Sequence, residues 1–303
     1  MRNILIITAL IVAPFIGFSQ YYAMDYGILA GASQYLGEFG GNEKEAQPWI
    51  LDMKSQQTRF AVGGFYRYRF KEKIGVNVQM NMIRLAGADN LSTNGPRVGR
   101  NLSFRNDIIE LSARLESYIY HVNDVGHTGR YQLDFRAYLF AGIGVFYNNP
   151  KASHENFGGY NALRPLQTEG VKYSAIQPSI PFGLGVFYTY KKVHRIGWEF
   201  GTRKTFTDYI DDASTFYYDH GPGADPMVLA YSNRYDPTLD KKLIGAKNYD
   251  VGAKRGDPAA NDWYMTTQFS YSYVLRGKRN FTHSQYSYLY GNKNRRRRSR
   301  AKF

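Results

Sequence analysis

Apolar and polar residues alternate along much of this chain with a period of two, most clearly from Arg59 to Met82. Phe60, Val62, Gly64, Tyr66, Tyr68 and Phe70 fall on one side, and Arg59, Ala61, Gly63, Phe65, Arg67 and Arg69 on the other. After Lys71-Glu72-Lys73 the alternation resumes, with Val76, Val78, Met80 and Met82 against Gly75, Asn77, Gln79 and Asn81. Successive side chains of a strand point to opposite faces, so this pattern predicts two strands joined by a tight hairpin. Each is about 11 residues or a little longer, which is what a tilted strand needs to cross a bilayer. One face suits lipid, while the other holds guanidinium and amide groups that need water or partners. That pairing belongs in a transmembrane β-barrel. A half-solvated sheet also alternates, but its wet face is not usually lined by glycine and arginine.

The same reading predicts eight strands. The first runs from about Tyr21 to Tyr35, and the hairpin supplies the second and third. The fourth, Ile108 to Val122, turns Ile109, Leu111, Ala113, Leu115 and Ile119 outward and Glu110, Ser112, Arg114, Glu116 and Tyr118 inward. The fifth, Tyr131 to Tyr147, turns Asp134, Arg136, Tyr138, Gly142 and Gly144 inward. The sixth runs from Ile180 to Tyr190, with Pro178 and Pro181 at its start, where a missing N–H is tolerated. The seventh begins at Ile196 with Glu199 and Arg203 inward, and the eighth is Trp263 to Leu275 with Met265, Phe269, Tyr271 and Tyr273 outward. Short links at Lys71–Lys73, Asn123–Arg130 and Lys191–Arg195 alternate with long ones at about Gly37–Thr58, Gly87–Asp107, Asn148–Gln177 and Thr205–Asn261. Short periplasmic turns and long outer loops on an even strand number are the pattern of outer-membrane barrels. The expected fold is therefore all-β: an eight-stranded antiparallel transmembrane β-barrel with long outer loops. Tyr66, Tyr68, Trp198 and Trp263 would form its aromatic girdles, and side chains would fill so small a lumen.

Composition sharpens this picture. Tyr (27), Phe (19) and Gly (30) are abundant while mean hydropathy is −0.48, which suits alternating strands and excludes a helical membrane bundle. The chain has no cysteine, which excludes disulfide frames and cysteine-based metal or redox chemistry. Met1-Arg2-Asn3, an apolar run from Ile4 to Phe18, and small residues Gly17 and Ser19 before Gln20 form a secretory signal peptide over residues 1–19. Residues 20–276 would form the barrel and 277–303 a tail. Export with no further long apolar run points to the outer membrane, with its lipid as one partner.

The inward charges Arg59, Arg67, Arg69, Glu110, Arg114, Glu116, Asp134, Arg136, Glu199 and Arg203 would share one lumen. They could serve a transport path, but mutual neutralisation is the expectation, because unpaired buried charge is costly. No Ser-His-acid set stands out, no metal-ligand spacing occurs among the histidines, and no cofactor is expected. Asp208, Asp211 and Asp212 could bind calcium, although a solvated loop is the expected reading. Phe182-Gly183-Leu184-Gly185 lacks the strand–loop–helix context of a nucleotide site and reads as packing glycines.

Three segments resemble a known family. Gly31-Ala32-Ser33-Gln34-Tyr35-Leu36-Gly37-Glu38 is similar to its G-x-S-x-Y-x-G-[DE] segment. The run Gly197 to Asp212, which includes Arg203-Lys204-Thr205-Phe206-Thr207-Asp208-Tyr209-Ile210-Asp211-Asp212, resembles its most distinctive stretch, and Asn261-Asp262-Trp263-Tyr264 its last-strand opening. The family is the PorG-like outer-membrane β-barrels of the type IX secretion system. The resemblance covers roughly Gln20 to Arg276. It implies a non-enzymatic barrel component of the protein-secretion machinery, associated with the periplasmic ring of PorK and PorN type. It brings no catalytic residues.

The tail is chemically distinct. Lys278, Arg279, Lys293, Arg295, Arg296, Arg297, Arg298, Arg300 and Lys302 carry nine of the +14 formal charges, and no acid accompanies them. Such a block is a solvated arm or a docking arm, and Arg295, Arg296, Arg297, Arg298 and Arg300 are the candidate partner-binding residues. In the periplasm it would face acidic proteins, anionic headgroups or peptidoglycan carboxylates; nucleic acid is not an expected partner. Two function classes follow. One is a scaffold component of a secretion machine. The other is a generic small outer-membrane barrel acting as a narrow channel, an adhesin or a membrane-embedded enzyme.

Overall fold

A computed structural model of the chain describes residues 24–37, 39, 55–71, 73–92, 95–123, 134–191, 193–236, 248–258 and 261–275. Its strands are β1 (Met24–Leu36), β2 (Arg59–Arg69), β3 (Ile74–Ala88), β4 (Ser103–Asn123), β5 (Asp134–Tyr147), β6 (Lys151–Ser153), β7 (Tyr160–Ala162), β8 (Ile176–Tyr190), β9 (His194–Thr205) and β10 (Trp263–Leu275). Two short helices lie between strands, α1 (Gly95–Arg100) and α2 (Pro226–Ser232). Strands β1, β2, β3, β4, β5, β8, β9 and β10 each pair antiparallel with the next, and β10 pairs with β1 from Met24↔Leu275 to Leu36↔Trp263. That last ladder closes the sheet into an eight-stranded barrel with no free edge.

The alternation read from sequence is the inside–outside alternation of the wall. On β3, Val78, Met80 and Met82 are exposed while Asn77, Gln79 and Asn81 are buried. On β5, Ile143 is 73% exposed and its counterpart Tyr138 3%. An apolar exterior around a polar lumen inverts a soluble protein and marks a lipid-facing wall. No helix among the described residues is long and apolar enough to cross a membrane. At the turn end, aromatic rings gather on the exterior, with Tyr26 6.1 Å from Tyr273 and Tyr120 6.2 Å from Phe135. Trp263 stands at the loop end, 6.2 Å from Phe182. Trp198, expected in a girdle, instead lies within β9 between Val186 and Phe269 and donates Nε1–H to Thr267 at 2.9 Å.

Strand ends depart from expectation at the loop end. Strand β3 runs on to Ala88 and β4 starts at Ser103, because their ladder continues from Arg84↔Asp107 to Ala88↔Ser103 beyond the apolar band. Charged outward residues there mask the alternation. Strand β8 begins at Ile176, so Pro178 and Pro181 lie inside it. The β5–β8 pairing skips from Ala141↔Phe182 to Gly144↔Ser179, an interruption at Pro181, which has no N–H to give. The link after β5 carries the small β6–β7 hairpin, which pairs with β4 through Arg105↔Lys151. Met265, expected outward, is buried beside Gln34 and Thr202, where the chain entering β2 leans on the wall through Thr58 Oγ1 to Gln34 at 2.9 Å.

Candidate functional site: the charged lumen and the capped mouth

The lumen holds six arginines, Arg67, Arg69, Arg114, Arg136, Arg195 and Arg203, and five acids, Asp25, Glu110, Glu116, Asp134 and Glu199, all of them buried. Each sits on the inward phase of its strand, so the barrel wall brings together charges far apart in sequence. Toward the turn end, Arg67 bridges Glu116 (Nε–Oε2 2.8 Å) and Asp25 (3.3 Å). Arg195 binds Asp25 and reaches Asp134 at 3.6 Å, and Asp134 also meets Arg136 at 2.7 Å and Arg69 at 3.6 Å. At mid-barrel Arg114 and Glu199 form a two-pronged pair at 2.6 and 3.0 Å. Nearer the loop end Arg203 meets Glu110 at 3.4 Å, and Tyr264 donates its hydroxyl to the same carboxylate.

Aromatic rings insulate these pairs. The guanidinium of Arg195 lies 4.1 Å from the Phe187 ring centre, and that of Arg114 lies 4.2 Å from Phe140. Tyr118 donates to Glu116 at 2.7 Å, and Tyr138 lies within hydrogen-bonding distance of both Arg67 and Glu199. The glycines of Phe182-Gly183-Leu184-Gly185 make room for this layer: a Cβ on Gly185 would lie 2.5 Å from the Tyr138 ring, and one on Gly183 would lie 2.8 Å from Phe140. The arrangement is a filled, charge-paired interior.

Nine of the ten charges expected in the lumen are in this network. Arg59 is not: at the loop-end start of β2 it is half-exposed and donates to the carbonyls of Gln56 and Thr58, each at 2.9 Å. Two members were missed, Asp25 and Arg195. The phase of Gly197 and Glu199 carried two residues back places Arg195 inside. Asp25 has the phase opposite to Tyr26 and Ile28, a weak signal in a glycine-rich strand.

At the loop end the mouth is closed by a different chemistry. Inward residues Ile83, Leu85, Ile108 and Phe146 cluster with Ile210 and Ala213, which come from the link after β9. Asn106 and Asn148 hold that link by donating to the carbonyls of Ile210 and Tyr209 at 2.8 and 2.9 Å. The amide of Ile210 donates to Asp262 at 2.9 Å, and the Tyr35 hydroxyl lies against Asp211 and Asp262. Tyr35, Asp211 and Asp262 come one from each of the three family-like segments, so those segments converge on a single centre.

The acidic run is therefore neither solvated nor a free ligand set: Asp208, Asp211 and Asp212 are all buried. Asp212 accepts from Thr168 and Tyr173, each at 2.6 Å. Burial pushes its carboxyl up to about 6, against the opposing pull of Arg255, Thr168 and Tyr173. Burial, followed by Asp212, pushes the Tyr173 phenol up, so it stays a donor. Glu169 accepts from the amides of Ser214 and Thr215 and pairs with Arg255 at 2.9 Å, while Arg100 pairs with Asp89 and donates to the Arg255 carbonyl. Among the described residues no group of three or more His, Asp or Glu is placed to hold a metal. The expected signal segment 1–19, the expected tail 277–303 and, with it, Arg295, Arg296, Arg297, Arg298 and Arg300 lie outside the described residues.

A closed eight-strand wall with an apolar exterior and a filled polar interior defines an outer-membrane β-barrel, and the outer membrane is its location. The chain belongs to a family known as a domain of unknown function (DUF6089), whose model matches residues 2–219. No curated protein matches it. Among solved structures it is similar to Ail, the attachment invasion locus protein of Yersinia pestis, solved with the heparin analogue sucrose octasulfate. That match has 11% identity and a TM-score of 0.35, and covers 84% of this chain and 99% of that one. It is also similar to the outer membrane protein OprG of Pseudomonas aeruginosa, with 12% identity, a TM-score of 0.33, and 86% and 100% coverage. The N-terminal β-barrel domain of OprF from the same organism matches at 9% identity and a TM-score of 0.30, with 82% and 96% coverage. The barrel itself is defined by its strand order and by the closing β1–β10 ladder.

Proposed function

We propose that this protein is a non-enzymatic outer-membrane anchor, a barrel component of the type IX protein-secretion machinery that associates with a periplasmic ring of PorK and PorN type and supports its assembly. The observation that carries the anchor reading is the double closure of the lumen, by ion pairs from Asp25 to Glu199 and by the Ile210–Ala213 plug. A barrel sealed twice has nothing to conduct and is suited to holding other things in place. The secretion assignment is supported by the resemblance of three segments, which meet at Tyr35, Asp211 and Asp262.

An enzyme at the barrel wall would need Ser, His and acid together on the outward faces. Among the described strand residues the outward acid is Asp107 at the loop end and the outward histidine is His194 at the turn end. A second reading, a generic small barrel making contacts outside the cell as an adhesin does, is favoured by the cap surface, where Phe216, Tyr218, Leu229, Tyr235 and Val251 are exposed.

Co-purification from outer membranes separates the two. The anchor reading expects ring proteins with the full-length barrel. It also expects that association, with secretion, to fall after deletion of Gly291–Phe303 or change of Arg295, Arg296, Arg297 and Arg298 to Gln, while the barrel stays inserted and heat-modifiable. Recovery of a lone barrel, with secretion intact in its absence, would overturn the assignment and leave the generic reading. Measurable conductance in planar bilayers would overturn the anchor role itself.

A further inference from the structure

The outward face of the eight strands is almost free of charge. Among the described strand residues, the side chains there that carry charge at neutral pH are Arg84, Arg105, Asp107 and Lys204, all at the loop end. Arg84 stands opposite Asp107, and Arg105 is opposite Ala86 in the next outward pair. One outward pair below lie Met82 and Ile109, 41% and 47% exposed. At 3.2–3.4 Å per residue the arginines therefore begin roughly 7 Å beyond the last lipid-exposed pair, where hydrocarbon gives way to headgroups.

The two guanidinium groups are held side by side by one carboxylate. Arg105 donates to Asp107 Oδ2 from Nε (3.2 Å) and Nη2 (2.9 Å), and Arg84 donates to Oδ1 from Nε. Asp107 balances one of their two charges. Aromatic faces fix both planes, with Arg84 4.7 Å from the Phe60 ring centre and Arg105 4.8 Å from Tyr160. The side chains remain 25% and 30% exposed, ordered yet open. Lys151, opposite Arg105 on β6, and Arg59 add two more cations. Beside them a cleft of about 150 Å³ is lined by Gln57, Arg59, Ala86, Ser103, Arg105 and Tyr160.

Two guanidinium groups share one acid, with Lys151 opposite Arg105 and Arg59 on the cleft, so the patch just above the apolar band is net positive, and the N–H donors not turned to Asp107 suit a phosphate group. The exposed Tyr160 ring offers an apolar face to an adjoining sugar. We propose that this patch is a binding site for the phosphorylated headgroup of an outer-leaflet glycolipid. The proposal rests on the loop end facing outward, which protease accessibility of the cap on intact cells reads independently.

The test titrates the full-length, detergent-folded protein with purified lipopolysaccharide and with the same material dephosphorylated, read by native mass spectrometry. Wild type is expected to bind the dephosphorylated form at least tenfold more weakly. The variant Arg84→Gln/Arg105→Gln/Asp107→Asn removes both cations and their shared carboxylate, so it strands no charge; it should lose a similar factor, with heat-modifiable gel mobility reporting an intact barrel. Lys204→Gln, on β9, should change binding by less than twofold. Equal binding of both lipid forms by wild type would overturn the site, and that arm needs no variant to fold. Undiminished binding by the folded triple variant would overturn it as well.

Discussion

The two ends of the lumen are sealed by opposite means. Toward the turn end, Asp25, Arg67, Glu116, Arg195 and Asp134 close the barrel with ion pairs supplied by the strands themselves. At the loop end, Ile83, Leu85, Ile108 and Phe146 close it with apolar contact, completed by Ile210 and Ala213 from a link. Both seals are buried, but they fail differently. An ion pair that loses one partner leaves a desolvated charge, whereas an apolar plug that loses a side chain leaves only a void. The first seal is built from strands alone, and the second joins strand side chains to a link, so the two should respond differently to the loss of a side chain.

The sharpest way to break this contrast is at Arg114 and Glu199. Glu199→Ala strands a guanidinium at mid-barrel and should cost about 3–5 kcal/mol, seen as a lower unfolding midpoint in detergent. Arg114→Met with Glu199→Leu removes both charges and should recover most of that loss. A double variant as unstable as the single one would mean that the pair's packing, and not its charge, matters.

Ile210→Ala should cost less globally, although its local cost is about 2–4 kcal/mol. Hydrogen exchange should rise across residues 207–215 and the loops that contact them, with the barrel midpoint nearly unchanged. Planar bilayers should stay silent, because the ion-pair seal below is untouched. A barrel midpoint falling by the full amount would show that cap and barrel unfold as one unit.

The difference between the seals also explains what the sequence revealed. Period-two alternation exposes inward residues wherever lipid contrasts with lumen, so Glu110, Arg114, Glu116 and Glu199 were legible by phase alone. The network's membership followed, except where contrast was weak: Asp25 lies near the start of a strand whose middle is diluted by Gly27, Ala30, Gly31 and Ala32, and Arg195 lies next to a turn. Arg59 has the inward phase yet lies at the mouth, because phase gives direction and not depth. The plug was illegible for a different reason. Ile210 and Ala213 lie in a link with no periodicity, and a run with three aspartates reads as solvated. Its burial depends on Tyr35, Thr168, Tyr173 and Asp262, partners distant in sequence. Only the tertiary fold brings these groups together.

The smallest expected effect concerns the cap and pH. Burial raises the Asp212 carboxyl to about 6, above the ordinary aspartate value, so the folded cap favours the protonated form. A group raised on folding contributes its stabilisation fully below its unfolded value. That contribution is lost as pH climbs through the folded one. For Asp212 the window runs from about pH 4 to about pH 6, with no further change above it, and the swing is at most about 3 kcal/mol. Asp212→Asn is a fitting probe because the residue has φ of 66°, a left-handed backbone that asparagine tolerates. The asparagine carbonyl can accept from Tyr173, and its amide can donate to Thr168 once that hydroxyl turns. At pH 7 the variant's cap should exchange more slowly than wild type, and at pH 4 the two should match. The barrel strands should show no difference at either pH. If Asp212→Asn loosens the cap at pH 7, Arg255 and the two hydroxyls hold the ionised carboxylate well enough to outweigh its burial. The apolar end of the lumen would then depend on charge much as the polar end does.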